Sequence, residues 1–150
     1  MKVDALSDLI VEIFRINGRL LAAGDRLVAD LGLTSARWQM IGAVALAAQP
    51  QTVPSIARTM GLTRQAVQRL VNELVADGLL DARPNPNHRR APLFALTSRG
   101  EAAFADAGAR QAPWAEAVAA GLSTQEIKVA EALLRRLRDG LEARPATQEA

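Results

Sequence analysis

One stretch, "TVPSIARTMGLTRQAVQRLVNELVADGLL" (residues 52–80), constrains the fold more than any other part of the chain. Its punctuation is closely spaced. Thr52 carries a hydroxyl suited to capping a helix start, and Pro54 sits in a first turn where a missing backbone donor is tolerated. Gly61 stops that helix after about two turns. Thr63 can cap a second helix, over about 64–77, and Gly78 ends it. Two short helices joined by a tight turn around Gly61 and Leu62 make a helix-turn-helix. In the second helix Val67, Leu70, Val71, Leu74 and Val75 recur at helical spacing and form the stripe expected to be buried. The opposite side carries Gln65, Gln68, Arg69 and Asn72, with Arg64 in the first turn.

Those exposed residue types suit the reading of bases. Arginine can donate two hydrogen bonds to guanine O6 and N7, and Gln or Asn can pair with adenine N6 and N7. The helix N-terminus also offers free N–H groups to a phosphate. A solvated helix face carries the same residues, so the helix alone does not decide between the two. The next stretch shifts the balance. "LLDARP" and "PLFALT" are short apolar runs on either side of "NPNHRRAP", and their length and flanking prolines predict a hairpin. A helix-turn-helix followed at once by two strands and a basic loop is a winged helix, with the wing from about Arg83 to Pro92. Arg89 and Arg90 near its tip can enter a minor groove or grip phosphates. His88 can hydrogen-bond a phosphate, although a lone loop histidine is commonly just solvated. Pro84, Pro86 and Pro92 restrict the loop and so reduce the entropy lost on binding. The plain alternative is an exposed turn whose arginines serve solubility.

Charge is distributed to match. The net charge of +2 divides into zero over residues 1–50, +4 over 51–100 and −2 over 101–150. A basic block on a nearly neutral chain is the footprint expected of polyanion binding. Cysteine is absent and there is one histidine. Disulfides, thiol redox chemistry and thiolate metal sites are thereby excluded, and no metal or other cofactor is expected. With no tyrosine and no Gly-rich phosphate loop either, no acid–base or nucleophile set is recognisable, so the chain does not read as an enzyme. No run reaches the ~18 apolar residues of a membrane span. The start "MKVDALSDLI" has no signal-peptide cleavage region, so the chain reads as cytoplasmic.

The ends are helical. Residues 4–31 place Leu6, Ile10, Ile13, Phe14, Leu20, Leu21, Leu27, Val28 and Leu31 at helical spacing, closed by Gly32. Thr34 or Ser35 caps a second helix bearing Trp38, Ile41, Val44 and Ala45 on one face, and "AAQPQT" breaks it. After the hairpin, Ser98 with Glu101 and Ser123 with Glu126 form two candidate capping boxes. The first opens a helix to about residue 120, bent at Pro113. The second opens a helix striped with Ile127, Ala130, Leu133, Leu134, Leu137 and Leu141. The tail "RPATQEA" is expected to fray. The fold class is therefore mainly α with a small β-hairpin wing. Residues 33–98 form the winged helix-turn-helix part, and residues 1–32 and 99–145 form helical arms.

"GLTRQAVQRLVNELVADGLL" followed by "NPNHRRAPLFALTSRG" resembles the MarR family of winged-helix transcriptional regulators. The "SARWQMIGAV" segment and the "LTSRG" turn after the wing extend the resemblance over nearly the whole chain. It implies a homodimer that binds near-palindromic DNA, often as a repressor, and that is released by a small, frequently aromatic or anionic, ligand. It places Thr63, Arg64, Gln65, Gln68 and Arg69 in the major groove, with Arg89 and Arg90 acting from the wing. One position departs from the family. Its wing commonly carries an aspartate two residues before the arginine matching Arg89, where this chain has Asn87. A neutral side chain there predicts a looser wing and a weaker Arg89. The absence of cysteine also excludes the thiol-based peroxide-sensing branch.

The terminal helices carry apolar stripes longer than the middle unit can cover, and exposed apolar surface of that size usually means a partner. A twofold dimer is one answer, and it spaces two recognition helices about one DNA turn apart. A monomeric bundle whose stripes bury one another is the other. A ligand pocket would lie between dimer helices and winged unit, with Phe14, Arg15, Trp38 and Met40 as candidates by helix position; Phe14 and Trp38 equally suit plain core. A winged-helix protein-interaction module and a non-specific architectural DNA binder are the competing functions.

Overall fold

The computed structural model describes residues 1–144. All of the tail beyond Arg144, where fraying is expected, lies outside the described residues. The chain divides into two compact units, the first Met1–Gln111 and the second beginning at Ala112.

The first unit opens with α1 (Lys2–Val28), a 3-10 turn (Ala29–Leu31), α2 (Ser35–Ala45), α3 (Val53–Met60) and α4 (Arg64–Ala76). Two strands follow, β1 (Leu80–Arg83) and β2 (Leu93–Leu96), and then α5 (Ser98–Ala119), which carries the chain into the second unit. This is the order the sequence predicts; the caps at Thr52 and Thr63 form as read, and of Thr34 and Ser35 it is Thr34 that caps α2. Thr34 Oγ1 accepts from Arg37 N at 3.2 Å, Thr52 Oγ1 from Ser55 N at 3.3 Å and Thr63 Oγ1 from Ala66 N at 3.1 Å. Each satisfies one of the free N–H groups at a helix start. Gly61 adopts φ 65, the left-handed region open to glycine at little cost, and its N–H closes α3 onto Ala57 and Arg58.

The core is built where the apolar stripes converge. Met40, Ile41 and Val44 of α2 meet Val53, Ile56 and Ala57 of α3 and Val67, Leu70, Val71 and Leu74 of α4. Val28, Leu79, Leu80, Phe94 and Ala107 close it from the flanking elements. Val75 departs from expectation. It stands 37% exposed, because the buried arc of α4 ends at Leu74 where the chain turns through Asp77 and Gly78.

β1 and β2 pair antiparallel, with Leu80 opposite Leu96 and Arg83 opposite Leu93. A third segment joins them. Gln51 N donates to Phe94 O at 3.2 Å and Phe94 N to Gln51 O at 2.8 Å, so the link between α2 and α3 adds one bridge to the hairpin. In the sequence that link reads only as a helix breaker. A single bridging residue has no periodicity to betray it.

The start of α5 corrects a second expectation. Its cap is Thr97, not Ser98. Thr97 Oγ1 accepts from Gly100 N at 3.0 Å and donates to Gly78 O at 2.7 Å, holding α5 to the turn after α4. The helix therefore starts one residue earlier than the Ser98–Glu101 spacing implies. Gly100 is required by the same packing: a Cβ there would lie 2.1 Å from Leu79 O.

The second unit contains the end of α5, which is continuous across Pro113, and α6 (Thr124–Ala143). The Ser123–Glu126 capping box is present in full. Glu126 accepts from Ser123 N and Ser123 Oγ, and these bonds hold its carboxyl below the usual carboxylate range. No residue of α6 is buried; Ile127, Leu133, Leu134 and Leu141 are all exposed. On α1 the same holds for Leu6, Ile10, Phe14 and Leu20. Among the described residues, no helix is long and apolar enough to cross a membrane, and no group of three or more His, Cys, Asp or Glu is placed to hold a metal ion.

Candidate nucleic-acid interface

Burial of Val67, Leu70, Val71 and Leu74 fixes the roll of α4, and the roll decides which side chains face out. Arg64, Gln65, Gln68, Arg69 and Asn72 are all exposed. Thr63 is exposed too, but its hydroxyl is engaged as the α4 cap. Gln68 Nε2 donates to Asn72 Oδ1 at 2.8 Å, one turn along. The pair leaves an acceptor on Gln68 and a donor on Asn72 facing outward, the combination that adenine requires.

The wing lies against the same end of α4. Arg64, Gln65 and Gln68 share a cleft of about 310 Å³ with Pro54, Arg90 and Pro92. Pro54, read in the sequence only as compatible with a helix start, is thus part of this face. Reaching it needs the fold, since the N-terminus of α3 meets the wing only once α2 and α3 pack.

The wing tip is two consecutive turns. His88 N donates to Asn85 O at 3.3 Å, and Ala91 N donates to His88 O at 3.2 Å. Pro86 stands second in the first turn, where its fixed φ is favoured. Arg89 and Arg90 take the two central positions of the second, so both point outward and are exposed. Neither joins any of the ion pairs among the described residues. His88 is exposed beside them. The residue that organises the tip is Asn85, which the sequence reading passed over in favour of Asn87. The Asn87 backbone N–H donates to Asn85 Oδ1 at 3.0 Å, and Asn85 Nδ2 donates to Ala91 O at 2.9 Å.

Behind this face, an ion pair anchors α4. Arg37 of α2 pairs with Asp77 at the end of α4, and Arg99 Nη1 donates to Asp77 O at 2.9 Å. The acidic residue closing α4 is thereby occupied at the end away from the wing.

The four ligand candidates sit in different surroundings. Met40 is fully enclosed in the core and offers no surface to a solute. Trp38 is partly buried against that core, while Phe14 is 71% exposed on α1. Arg15 is ion-paired with Glu12 at 2.7 Å. A hollow of about 560 Å³ lies instead beside α2 and α3, lined in part by Gln39, Ala43, Leu46, Gln51 and Met60.

Residues 31–91, which span α2 to the wing tip, match the sequence model of the MarR family. Over 97 residues the chain is 43% identical to an uncharacterized protein of Mycobacterium tuberculosis, a match covering 65% of this chain and 66% of that protein, just under two thirds of the relative's length. The crystal structure of a MarR family transcription regulator matches with a TM-score of 0.77 at 26% identity, covering 94% of this chain and 95% of that one. A mutant MarR from E. coli, crystallised in complex with operator DNA, has the same fold at a TM-score of 0.70 and 23% identity, covering 87% of this chain and 96% of its own. Sequence model and fold agree over the same elements: residues 31–91 match the MarR family's sequence model, and the chain has the fold of MarR family transcription regulators.

Proposed function

We propose that this protein is a sequence-specific double-stranded DNA-binding transcriptional regulator, acting as a homodimer on a near-palindromic operator. One observation carries the reading. Arg64, Gln65 and Gln68 on the outward face of α4 share one cleft with Arg90 of the wing, next to exposed Arg89, and both wing arginines are unpaired among the described residues, so a face suited to bases and a basic wing adjoin. In that reading Gln65, Gln68, Arg69 and Asn72 meet base edges. Arg64, Arg89, Arg90 and His88 meet the backbone or minor groove. Thr63 orders the helix start through its cap. The relative crystallised with operator DNA supports this use of the shared fold. The exposed apolar stripes of α1 and α6 support a partner, and a second copy supplies the twofold symmetry that a palindrome matches.

Repression by occupying the operator follows from the family resemblance. A reporter placed behind the selected operator should rise when the protein is removed. A small aromatic or anionic effector would find an apolar wall and the amides of Gln39 and Gln51 in the hollow beside α2 and α3.

The test is selection of bound duplexes from a random pool, with the mass of the protein measured on the same sample. A palindromic site and a mass of two chains are expected. Affinity for that site should fall steeply with salt. A protein-interaction module would give neither preference nor salt slope, and an architectural binder would give the slope alone. Arg69→Ala should weaken preference at one base position by about 1–3 kcal/mol, whereas Arg90→Ala should weaken binding to all sequences alike. Equal losses on selected and random DNA for Arg69→Ala would remove it from the base-reading set.

A further inference from the structure

The wing has no core of its own. Its tip is exposed, it carries three prolines between Pro84 and Pro92, and its arginines make no ion pair among the described residues. The prolines narrow the backbone at three positions, but they do not tie the tip to anything, and binding would have to order what freedom remains. One side chain restrains that freedom. Asn85 is partly buried at the base of the first turn, and its amide bonds at both ends. Oδ1 accepts from Asn87 N inside the first turn, and Nδ2 donates to Ala91 O at the close of the second. The orientation of the amide is unambiguous, because a backbone N–H can meet only the oxygen and a carbonyl only the nitrogen. No other side chain of this size has both a donor and an acceptor in that geometry. Aspartate would keep the first bond and set a carboxylate against the Ala91 carbonyl. Serine could keep the first bond and would not reach the second.

We infer that Asn85 is the positioning residue of the wing, a clamp across both turns that presents Arg89 and Arg90 beside α4 before DNA arrives. Ala91, whose carbonyl it holds, lines the same cleft as Arg64 and Gln68, so the clamp also sets the spacing between wing and helix. The inference rests on the DNA-binding reading for its consequence, and on geometry alone for the clamp. It also shifts the weight from Asn87. Only the backbone N–H of Asn87 is engaged among the described hydrogen bonds, so its side chain gives Arg89 no hold and the ordering of the tip falls to Asn85.

Two measurements on the full chain test it. The first uses no DNA. Backbone amide order parameters at His88, Arg89 and Arg90 should stand near the rigid value of about 0.85 in the unaltered protein and fall below about 0.6 in Asn85→Ala. Asn85→Ser should lie between. Values already low in the unaltered protein, or unchanged in Asn85→Ala, overturn the clamp. The second is a double-mutant cycle on the selected operator. Asn85→Ala should lower affinity by about 3- to 10-fold and reduce the salt slope by about one phosphate contact, with base preference along α4 retained. In an Arg89→Ala/Arg90→Ala background the same change should alter affinity by less than about twofold, because the groups it positions are gone. An equal loss in both backgrounds overturns positioning and leaves a general effect on folding. If the unaltered protein selects no duplex, the DNA-binding reading fails, and the order parameters still decide whether Asn85 holds the loop.

Discussion

Helices α4 and α6 are written alike and placed differently. Each begins at a hydroxyl cap, Thr63 in one and Ser123 in the other, and each repeats apolar residues at helical spacing. In α4 the stripe disappears into the core, with Val67, Val71 and Leu74 at 0% exposure. In α6 nothing is buried, and Leu141 stands at 67%. Periodicity therefore says that a stripe needs a cover. Whether the cover is the same chain or another one depends on what else packs nearby.

Breaking the cover of each helix should give different failures. If a second copy covers α6, Leu133→Glu with Leu134→Glu should abolish the dimer. The mass in sedimentation should fall to that of one 16.0 kDa chain, while the winged unit keeps its helical signal. A dimer that survives both charges would place its interface elsewhere. On α4 the failure should be one of folding. Leu74→Ala should cost about 2–5 kcal/mol in denaturant unfolding at any protein concentration. Its neighbour Val75, which periodicity alone would count as core, should lose within about 0.5 kcal/mol on change to alanine. Equal costs at the two positions would mean that the buried arc is wider than the structure has it.

The caps sharpen the comparison at smaller amplitude. Thr63→Ala should cost about 1 kcal/mol and register in the unfolding of the winged unit. Ser123→Ala should instead register as local fraying at the start of α6, read by amide exchange. The smallest effect is a pH dependence confined to α6. Glu126 is held below the usual carboxylate range by its bonds to Ser123, so its contribution is complete above that range and is lost as pH falls through the lowered value. Amide protection at the start of α6 should decline in acid before that at the start of α4, whose cap contains no carboxylate. Glu126→Gln should remove the difference.

Much of this was legible without coordinates, and the reasons are local. A cap, an apolar stripe and a stopping glycine act within a few residues of one another, so the helix-turn-helix and the order of elements follow from short-range rules. Ser123–Glu126 is a capping box by spacing and by structure alike. Ser98–Glu101 has the same spacing and is not one, because Thr97 is tied to Gly78 nineteen residues earlier and takes the cap position first. Met40 suited a pocket by its place on α2, and the packing of α2 on α3 and α4 encloses it.

What the sequence by itself determined is the set of elements, the caps at Thr52, Thr63 and Ser123, the outward face of α4 and the basic wing, because each depends on side-chain chemistry repeated over one or two turns. Only the tertiary structure decided which asparagine organises the wing. Asn85 and Asn87 stand two residues apart with identical donors and acceptors. The hairpin register brings the Ala91 carbonyl within reach of Asn85. Chemistry available equally to both residues became a clamp at only one of them, since a hydrogen bond across a loop depends on where the far strand returns.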